Sequence, residues 1–335
     1  MSRTTDILKD TFGREHTYLR ISLTEKCNLR CTYCMPEEGV MLTPKAQLMT
    51  ADEVADIAKV FVENGVDKIR LTGGEPLLRK DFPQILHALS QLPVTLTLTT
   101  NAILIDRYIE DFKKAGIQSL NVSLDTLKPE KFFTITKRDQ FQRAYDNIQL
   151  LQQEGFGVKL NVVLMKGFND DEVTDFIRLT ADQSLNVRFI EFMPFDGNRW
   201  NKAKLVTQQE ILDQVATHFG ADQLQPLQNE AHFIARNYQI KGFRGGFGII
   251  STVSNPFCDG CNRIRLTANG SIKNCLFSMS ETNLLEPLRN DQPIAPIIQN
   301  VLLKKKAVRA GMDDAHSFEN PSNHTRNRSM ITIGG

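Results

Sequence analysis

The first 190 residues alternate between two hydrophobic periods, and this alternation limits the fold more than any other feature of the chain. Short runs rich in Val, Ile, Leu and Thr occur at 18–23 (YLRISL), 68–72 (KIRLT), 94–100 (VTLTLTT), 119–124 (SLNVSL), 158–164 (VKLNVVL) and 187–192 (VRFIEF). Each is bounded by turn residues, as strands are. Between them lie stretches with helical spacing. In TADEVADIAKVFVENG, Thr50 is placed to cap a helix, Glu53 completes a capping box and Gly65 ends the helix. Val54, Ile57, Ala58 and Phe61 recur every three to four residues. Similar patterns occupy 81–91, 104–115, 141–154 and 170–180. Such units pair in parallel through right-handed crossovers. The prediction is an α/β fold, either an open doubly wound sheet or a barrel, with six units against the eight of a complete TIM barrel. In both, the functional rim lies at the C-terminal ends of the strands.

After residue 193 the alternation fades. DGNRWN (196–201) is polar and turn-rich, a helix is predicted at 207–219, and HFIARNYQI and GFGIIS read as strands of a different, smaller region. From about residue 312 the chain is polar with little pattern, and Gly334 and Gly335 by themselves read as a frayed end. Three successive lysines, Lys304, Lys305 and Lys306, read as a solvated helix face.

The chain has 335 residues, 41% apolar and 24% charged, enough for a sizeable core. A net charge of +1 points away from nucleic acid and membrane surfaces. No apolar run approaches the ~20 residues of a membrane span, and the N-terminal stretch lacks the apolar core of a signal peptide. A cytosolic, reducing location is expected, where clustered cysteines are metal ligands rather than disulfides.

All six cysteines fall into two groups of three. CNLRCTYC places Cys27, Cys31 and Cys34 on the loop after the first strand, spaced Cys-x3-Cys-x2-Cys. CDGCNRIRLTANGSIKNC places Cys258, Cys261 and Cys275 as Cys-x2-Cys-x13-Cys. A structural zinc site closes with four protein ligands. A [4Fe–4S] cube held by three thiolates leaves one iron open to a substrate or cofactor. On spacing alone zinc remains the alternative to iron–sulfur at both groups.

TGGEP (72–76) follows the second strand, and Asp125 follows the fourth, so both share the rim with the first trio. Gly73 and Gly74 allow a close approach of the backbone to a ligand. Cationic residues recur near strand ends or the second trio: Arg20, Arg70, Lys159, Arg188, Arg263 and Arg265. Arg263 and Arg265 alternate on one strand just after Cys261, so both face one side, suited to phosphate.

CNLRCTYC, with an aromatic residue before its third Cys, resembles the signature of the radical S-adenosylmethionine (SAM) enzymes, and TGGEP is similar to their Gly-Gly-Glu-Pro motif. The second trio followed by RIRL, together with VSLDTL, NVVLMKG, RFIEFM and the terminal diglycine, narrows the likeness to the GTP 3′,8-cyclase family, from about Arg20 onward. The resemblance implies an incomplete (βα)6 TIM-type barrel over residues 1–193. A smaller C-terminal region, 194–335, would cover its opening and carry a second Fe–S cluster.

By the same resemblance, Cys27, Cys31 and Cys34 hold a cluster whose open iron takes SAM, with Tyr33, Gly74, Ser123 and Met193 contacting SAM. Cys258, Cys261 and Cys275 hold the second cluster, facing guanine. Arg20, Arg70, Thr99, Lys159, Arg263 and Arg265 contact GTP, and Arg188 is a further candidate. The three first-trio cysteines, Arg263 and Arg265 are the implied catalytic set. The implied reaction is the first step of molybdenum-cofactor biosynthesis. A 5′-deoxyadenosyl radical removes the C3′ hydrogen of GTP, and C3′ then attacks C8. Implied partners are an external electron donor, cyclic pyranopterin monophosphate synthase as next enzyme, and a second copy in a homodimer. The diglycine end is implied to reach into the active site. One departure is Ala102 in TTNAIL, where the family commonly has Gly.

Overall fold

Six parallel strands stand where the apolar runs predict them. The computed structural model describes residues 6–36, 38–228, 232, 234–325 and 327–334. The strands are β1 (Tyr18–Ser22), β2 (Lys68–Thr72), β3 (Thr95–Thr100), β4 (Ser119–Ser123), β5 (Gly157–Leu164) and β6 (Leu185–Glu191), paired in chain order. The helix Ala51–Glu63 starts as its sequence dictates. Thr50 Oγ1 accepts from the Glu53 amide at 3.2 Å, and Glu53 Oε2 accepts from the Thr50 amide at 2.7 Å. Other predicted helices form at Phe82–Ser90, Phe141–Gln153 and Gln208–Phe219. The 104–115 and 170–180 patterns each break into a 3-10 turn and a short helix, ending at Lys114 and Arg178. The helix Pro129–Thr136, which opens with proline at its first turn, lay outside every predicted pattern.

The later strands do not build a separate sheet. They are β7 (Leu224–Pro226), β8 (Arg236–Ile240), β9 (Gly246–Ile250), β10 (Arg263–Leu266), β11 (Ser271–Lys273) and β12 (Thr282–Asn283). HFIARNYQI and GFGIIS thus supply β8 and β9, which extend the core sheet. β9 lies parallel beside β6, and β10 lies parallel beside β1. The sheet order is β12-β11-β10-β1-β2-β3-β4-β5-β6-β9-β8-β7. The two bare edges of the six-stranded core would present unpaired N–H and C=O groups, and the C-terminal strands satisfy both.

Side-chain alternation assigns the two faces. Leu19, Ile21, Ile69, Leu71, Leu98, Leu120, Val122, Leu160, Val162, Val187 and Phe189 are buried in the main core. The intervening positions, among them Arg20, Thr99, Asn121, Ser123, Asn161, Arg188 and Arg265, border a single cavity reached by strands from β10 round to β9. The sheet is therefore curled into an incomplete barrel around a lumen to which the strands contribute polar side chains.

A second, smaller core joins Phe195, Phe277, Met312, Phe318 and Ile333. Arg309 lies 4.3 Å over the Phe318 ring. This cluster orders the stretch after residue 312, which has little pattern of its own. Arg328 ties the stretch down through Glu281, which also pairs with the buried Lys273. No helix among the described residues is long and apolar enough to cross a membrane.

Under β1, His16 is fully buried; its Nδ1 donates to the Leu8 carbonyl at 3.0 Å and its Nε2 lies 3.7 Å from Asp10. Burial, reinforced by the Lys305 charge, lowers its pKa to about 3, against 6.5 in an open chain. Between those values the unfolded chain binds one proton more than the folded one. Stability conferred by neutral His16 is thus complete above pH 6.5 and is lost as pH falls, by up to about 1.4 kcal/mol per pH unit. Urea unfolding of His16→Phe should show a shallower fall of stability from pH 6 to pH 4 than the parent; an equal slope would refute the assignment.

Candidate active site

The cavity has a volume of about 300 Å³, and both cysteine trios border it. Cys27, Cys31 and Cys34 come from the loop after β1. Cys258 and Cys261 precede β10, and Cys275 follows β11. All six are half-buried free thiols. Among the described residues, no three His, Cys, Asp or Glu side chains converge tightly enough to hold a single metal ion. Each trio borders the chamber.

The glycine pair packs against the loop that carries the first trio. The Gly74 amide donates to the Thr24 carbonyl at 2.7 Å, and the Glu75 amide to Lys26 at 2.8 Å. A Cβ on Gly74 would lie 2.4 Å from the Lys26 carbonyl oxygen and 3.2 Å from Cys27 Cβ. The close approach is therefore to the loop that carries the cysteines. Glu75 is buried; its carboxylate accepts from Thr100 Oγ1 at 2.8 Å and from the Asn101 and Leu77 amides at 2.8 and 3.2 Å. Burial pushes its pKa up to about 7. Asn101 in turn donates to Asn28 at 2.7 Å. One buried carboxylate thus joins the ends of β2 and β3 to the trio loop.

Tyr33, Gly74, Ser123 and Met193 all border the chamber, as does Asp125. Asp125 accepts from the Val163 amide at 2.9 Å, and burial raises its pKa to about 6. Ala102, the departure in TTNAIL, takes a left-handed φ of 69° and is held there by Asn147, which donates to its carbonyl at 2.7 Å. The neighbouring Thr99 still borders the cavity.

The opposite wall is cationic. Register places Arg20 beside both Arg70 and Arg265. Arg20, Thr99, Arg188, Arg263 and Arg265 border the chamber; Arg70 and Lys159 do not. Arg70 lies beside Arg20 on the inner face, with Nη1 3.5 Å from Thr99 Oγ1 and its guanidinium 5.6 Å over the Tyr18 ring. Lys159 sits on β5 beside Asn121. Burial and the like charges of Arg20 and Arg263 disfavour the charged form of Arg265. Buried Nε atoms of Arg20 and Arg70 have no hydrogen-bond partner. An anion entering the chamber would relieve both conditions.

Gly334 ends up inside. Its carbonyl accepts from Arg265 Nη1, and a Cβ there would lie 2.5 Å from Thr72 Oγ1. Its φ of +79° also favours glycine. The frayed-end reading therefore fails at Gly334; Gly335 lies outside the described residues.

The two trios differ in electrostatic surroundings at Cys261, while burial raises Cys258 as it does the first-trio thiols. Burial raises Cys27 to about 11 and pushes Cys31 and Cys34 up as well, with Asp125 adding to both. At Cys261 burial acts the same way, but Arg263 and Lys305 overcome it and lower the thiol to about 6.

Two buried residues near the second trio escaped the sequence reading. Glu191 ends β6 in the apolar register of Leu185, Val187 and Phe189. It accepts from the Val253 and Ser254 amides at 2.7 and 3.0 Å and from the Ser254 hydroxyl. A carboxylate in that register was the available signal. Lys305, read as solvated, is buried.

The chain matches the Radical SAM superfamily over residues 21–180 and Molybdenum Cofactor Synthesis C over 185–310. It is 48% identical to "GTP 3′,8-cyclase, mitochondrial" of Arabidopsis thaliana, over 98% of this chain and 84% of that one. It is 41% identical to "GTP 3′,8-cyclase" of Listeria monocytogenes, over 98% and 99%. Identity to "Molybdenum cofactor biosynthesis protein 1" of Homo sapiens is 46%, over 97% of this chain; the chain spans about half of that relative, 51%. Among solved structures, SuiB of Streptococcus suis bound to S-adenosylmethionine superposes with a TM-score of 0.60 at 16% identity, over 92% of this chain and 77% of that one.

In metal-free protein the lowered pKa of Cys261 favours its thiolate, and the raised pKa of Cys27 its thiol. Iodoacetamide should therefore label Cys261 well before Cys27, read by peptide mass spectrometry. Labelling in the reverse order would contradict the charge arrangement.

Proposed function

The chain belongs to the radical SAM superfamily and, within it, to the GTP 3′,8-cyclases, and from that premise we propose that it converts GTP to (8S)-3′,8-cyclo-7,8-dihydroguanosine 5′-triphosphate. This is the first step of molybdenum-cofactor biosynthesis. The observation that carries the reading is that two cysteine trios and an arginine wall border one chamber.

Cys27, Cys31 and Cys34 would hold one [4Fe–4S] cluster beside SAM, and Cys258, Cys261 and Cys275 a second beside the guanine. When bound, the reduced first cluster and SAM supply the radical that removes the C3′ hydrogen of GTP. The chain itself places the reactants. Gly74 keeps the first-trio loop against β2, and Tyr33, Ser123 and Met193 line the SAM side. Arg20, Arg263, Arg265 and Thr99 would receive the triphosphate, an anion that their uncompensated charge suits. Arg70 and Lys159 would act from beside the residues that border the chamber, and Arg188 from β6. Holding C3′ and C8 in reach of each other and shielding them from water is the protein's share of the catalysis. The Gly334 carbonyl on Arg265 would orient that guanidinium.

The same reading divides the chain at residues 193 and 194 and carries an external one-electron donor, a homodimer, a cytoplasmic location and passage of the product to cyclic pyranopterin monophosphate synthase. The fold shared with SuiB does not choose the substrate; the arginine wall favours a nucleoside triphosphate.

Anaerobically reconstituted protein should carry about eight irons per chain and consume GTP and SAM together. Zinc without iron, or SAM cleavage with GTP untouched, would overturn the reading. Cys34→Ser should abolish SAM cleavage. Cys275→Ser and Arg265→Ala should retain uncoupled SAM cleavage while GTP cyclisation falls about 100-fold, the scale set by a lost buried charge contact. Wild-type cyclisation in Arg265→Ala would mean that the triphosphate site lies elsewhere.

A further inference from the structure

Three lysines in a row would ordinarily all point to water. Here Lys304 and Lys306 are exposed, while Lys305 between them is only 4% exposed. The helix Ala295–Leu303 has just ended, and the Lys305 amide closes its last turn on the Leu302 carbonyl at 2.9 Å. The side chain runs inward to the second trio. Its Nζ lies 3.5 Å from Cys261 Sγ and donates to the Arg263 carbonyl at 3.1 Å.

The next residues are fixed to the same loop. Arg14 Nη1 donates to the carbonyls of Cys258 and Ala307 at 2.9 and 2.8 Å, and Nη2 to that of Lys306 at 2.9 Å. Asp10 orients Arg14 through a contact of 2.6 Å to its Nε. Lys305 is therefore held in place by a buried frame rather than by chance of rotamer.

Burying an ammonium without an opposite charge is expensive. Among the described residues no carboxylate forms an ion pair with Lys305, and the like charges of Arg14 and Arg263 act on it. The negative groups that face it are the sulfurs of the second trio. Among the described residues no lysine donates to a sulfur of the first trio, where Asn101 Nδ2 lies 3.8 Å from Cys27 Sγ. Hydrogen bonds to cluster sulfurs and local charge both set iron–sulfur potentials. A cation at a sulfur favours the electron-richer state of the cluster.

We propose that Lys305 is a positioning residue for the second cluster: its buried ammonium, donating to the Cys261 sulfur, raises the reduction potential of that cluster above the value the cysteines alone would give. This rests on the reading of the second trio as an iron–sulfur site. It assigns one lysine of the run a task that its neighbours do not share.

The test uses full-length, anaerobically reconstituted protein, titrated with dithionite and mediators and followed by low-temperature paramagnetic resonance. Iron and sulfide are counted in each sample. The wave absent from Cys275→Ser identifies the second cluster. In Lys305→Met that wave should move to lower potential, with the reduced-to-oxidised ratio at a fixed potential falling about tenfold, which is about 59 mV for one electron. The first wave should stay in place. Lys305→Arg should restore the parent position, and Lys304→Met and Lys306→Met should not move it. An unmoved second wave in Lys305→Met at full iron content overturns the proposal, as does an equal shift in Lys304→Met. Loss of iron in Lys305→Met with retention in Lys305→Arg supports the cation–thiolate contact; equal loss in both overturns it. A parent protein with four irons and a single wave would instead remove the second cluster itself, and the proposal with it.

Discussion

A parallel strand covered on both sides ordinarily carries apolar residues on both faces. In this protein the inner face carries arginine, threonine, asparagine and serine, and the rest of the structure is arranged around that departure. Arg20, Arg70 and Arg265 stand side by side in register, and the buried Nε atoms of Arg20 and Arg70 lack hydrogen-bond partners. Packed branched side chains fill the centre of a complete barrel; here the centre is kept open. Stability has to come from the outer face and its helices, where Leu19, Ile69, Leu98, Leu120, Leu160 and Val187 are all but inaccessible to water.

The two cysteine groups share that space but not its electrostatics. Buried acids, Asp125 and Glu75, adjoin the first, and cations, Arg263 and Lys305, adjoin the second. Two sites made of the same three thiols are thereby differentiated by what stands behind them. A carboxylate and an ammonium placed one shell out distinguish them without any change of ligand.

Much of this was legible in the residues. Period-2 runs located β1 to β6, and the Thr50–Glu53 pair located a helix start to the residue. The cysteine spacing and the alternating Arg263 and Arg265 pointed to the chamber wall. What escaped was decided by tertiary contact. Lys305 has the local pattern of a solvated lysine, and only a helix end that turns it inward makes it a buried donor. Phe318 and Ile333 are isolated apolar residues in a polar stretch, meaningful only once Phe195 and Phe277 meet them from elsewhere in the chain. Strands of two and three residues, such as β12 and β7, are too short to show a period. Arg70 and Lys159 have the right chemistry and inner-face strand positions, yet neither side chain is among those that border the cavity.

The placement of β9 and β10 at the two flanks of the six-stranded core limits how such a barrel can acquire new partners. A graft that simply capped the mouth would leave β1 and β6 as naked, sticky margins. Any replacement module has to arrive with two strands of matching direction, one for each margin, separated by enough chain to cross the gap between them. Recombination within this architecture is therefore closer to fitting a two-pronged plug than to adding a bead to a string.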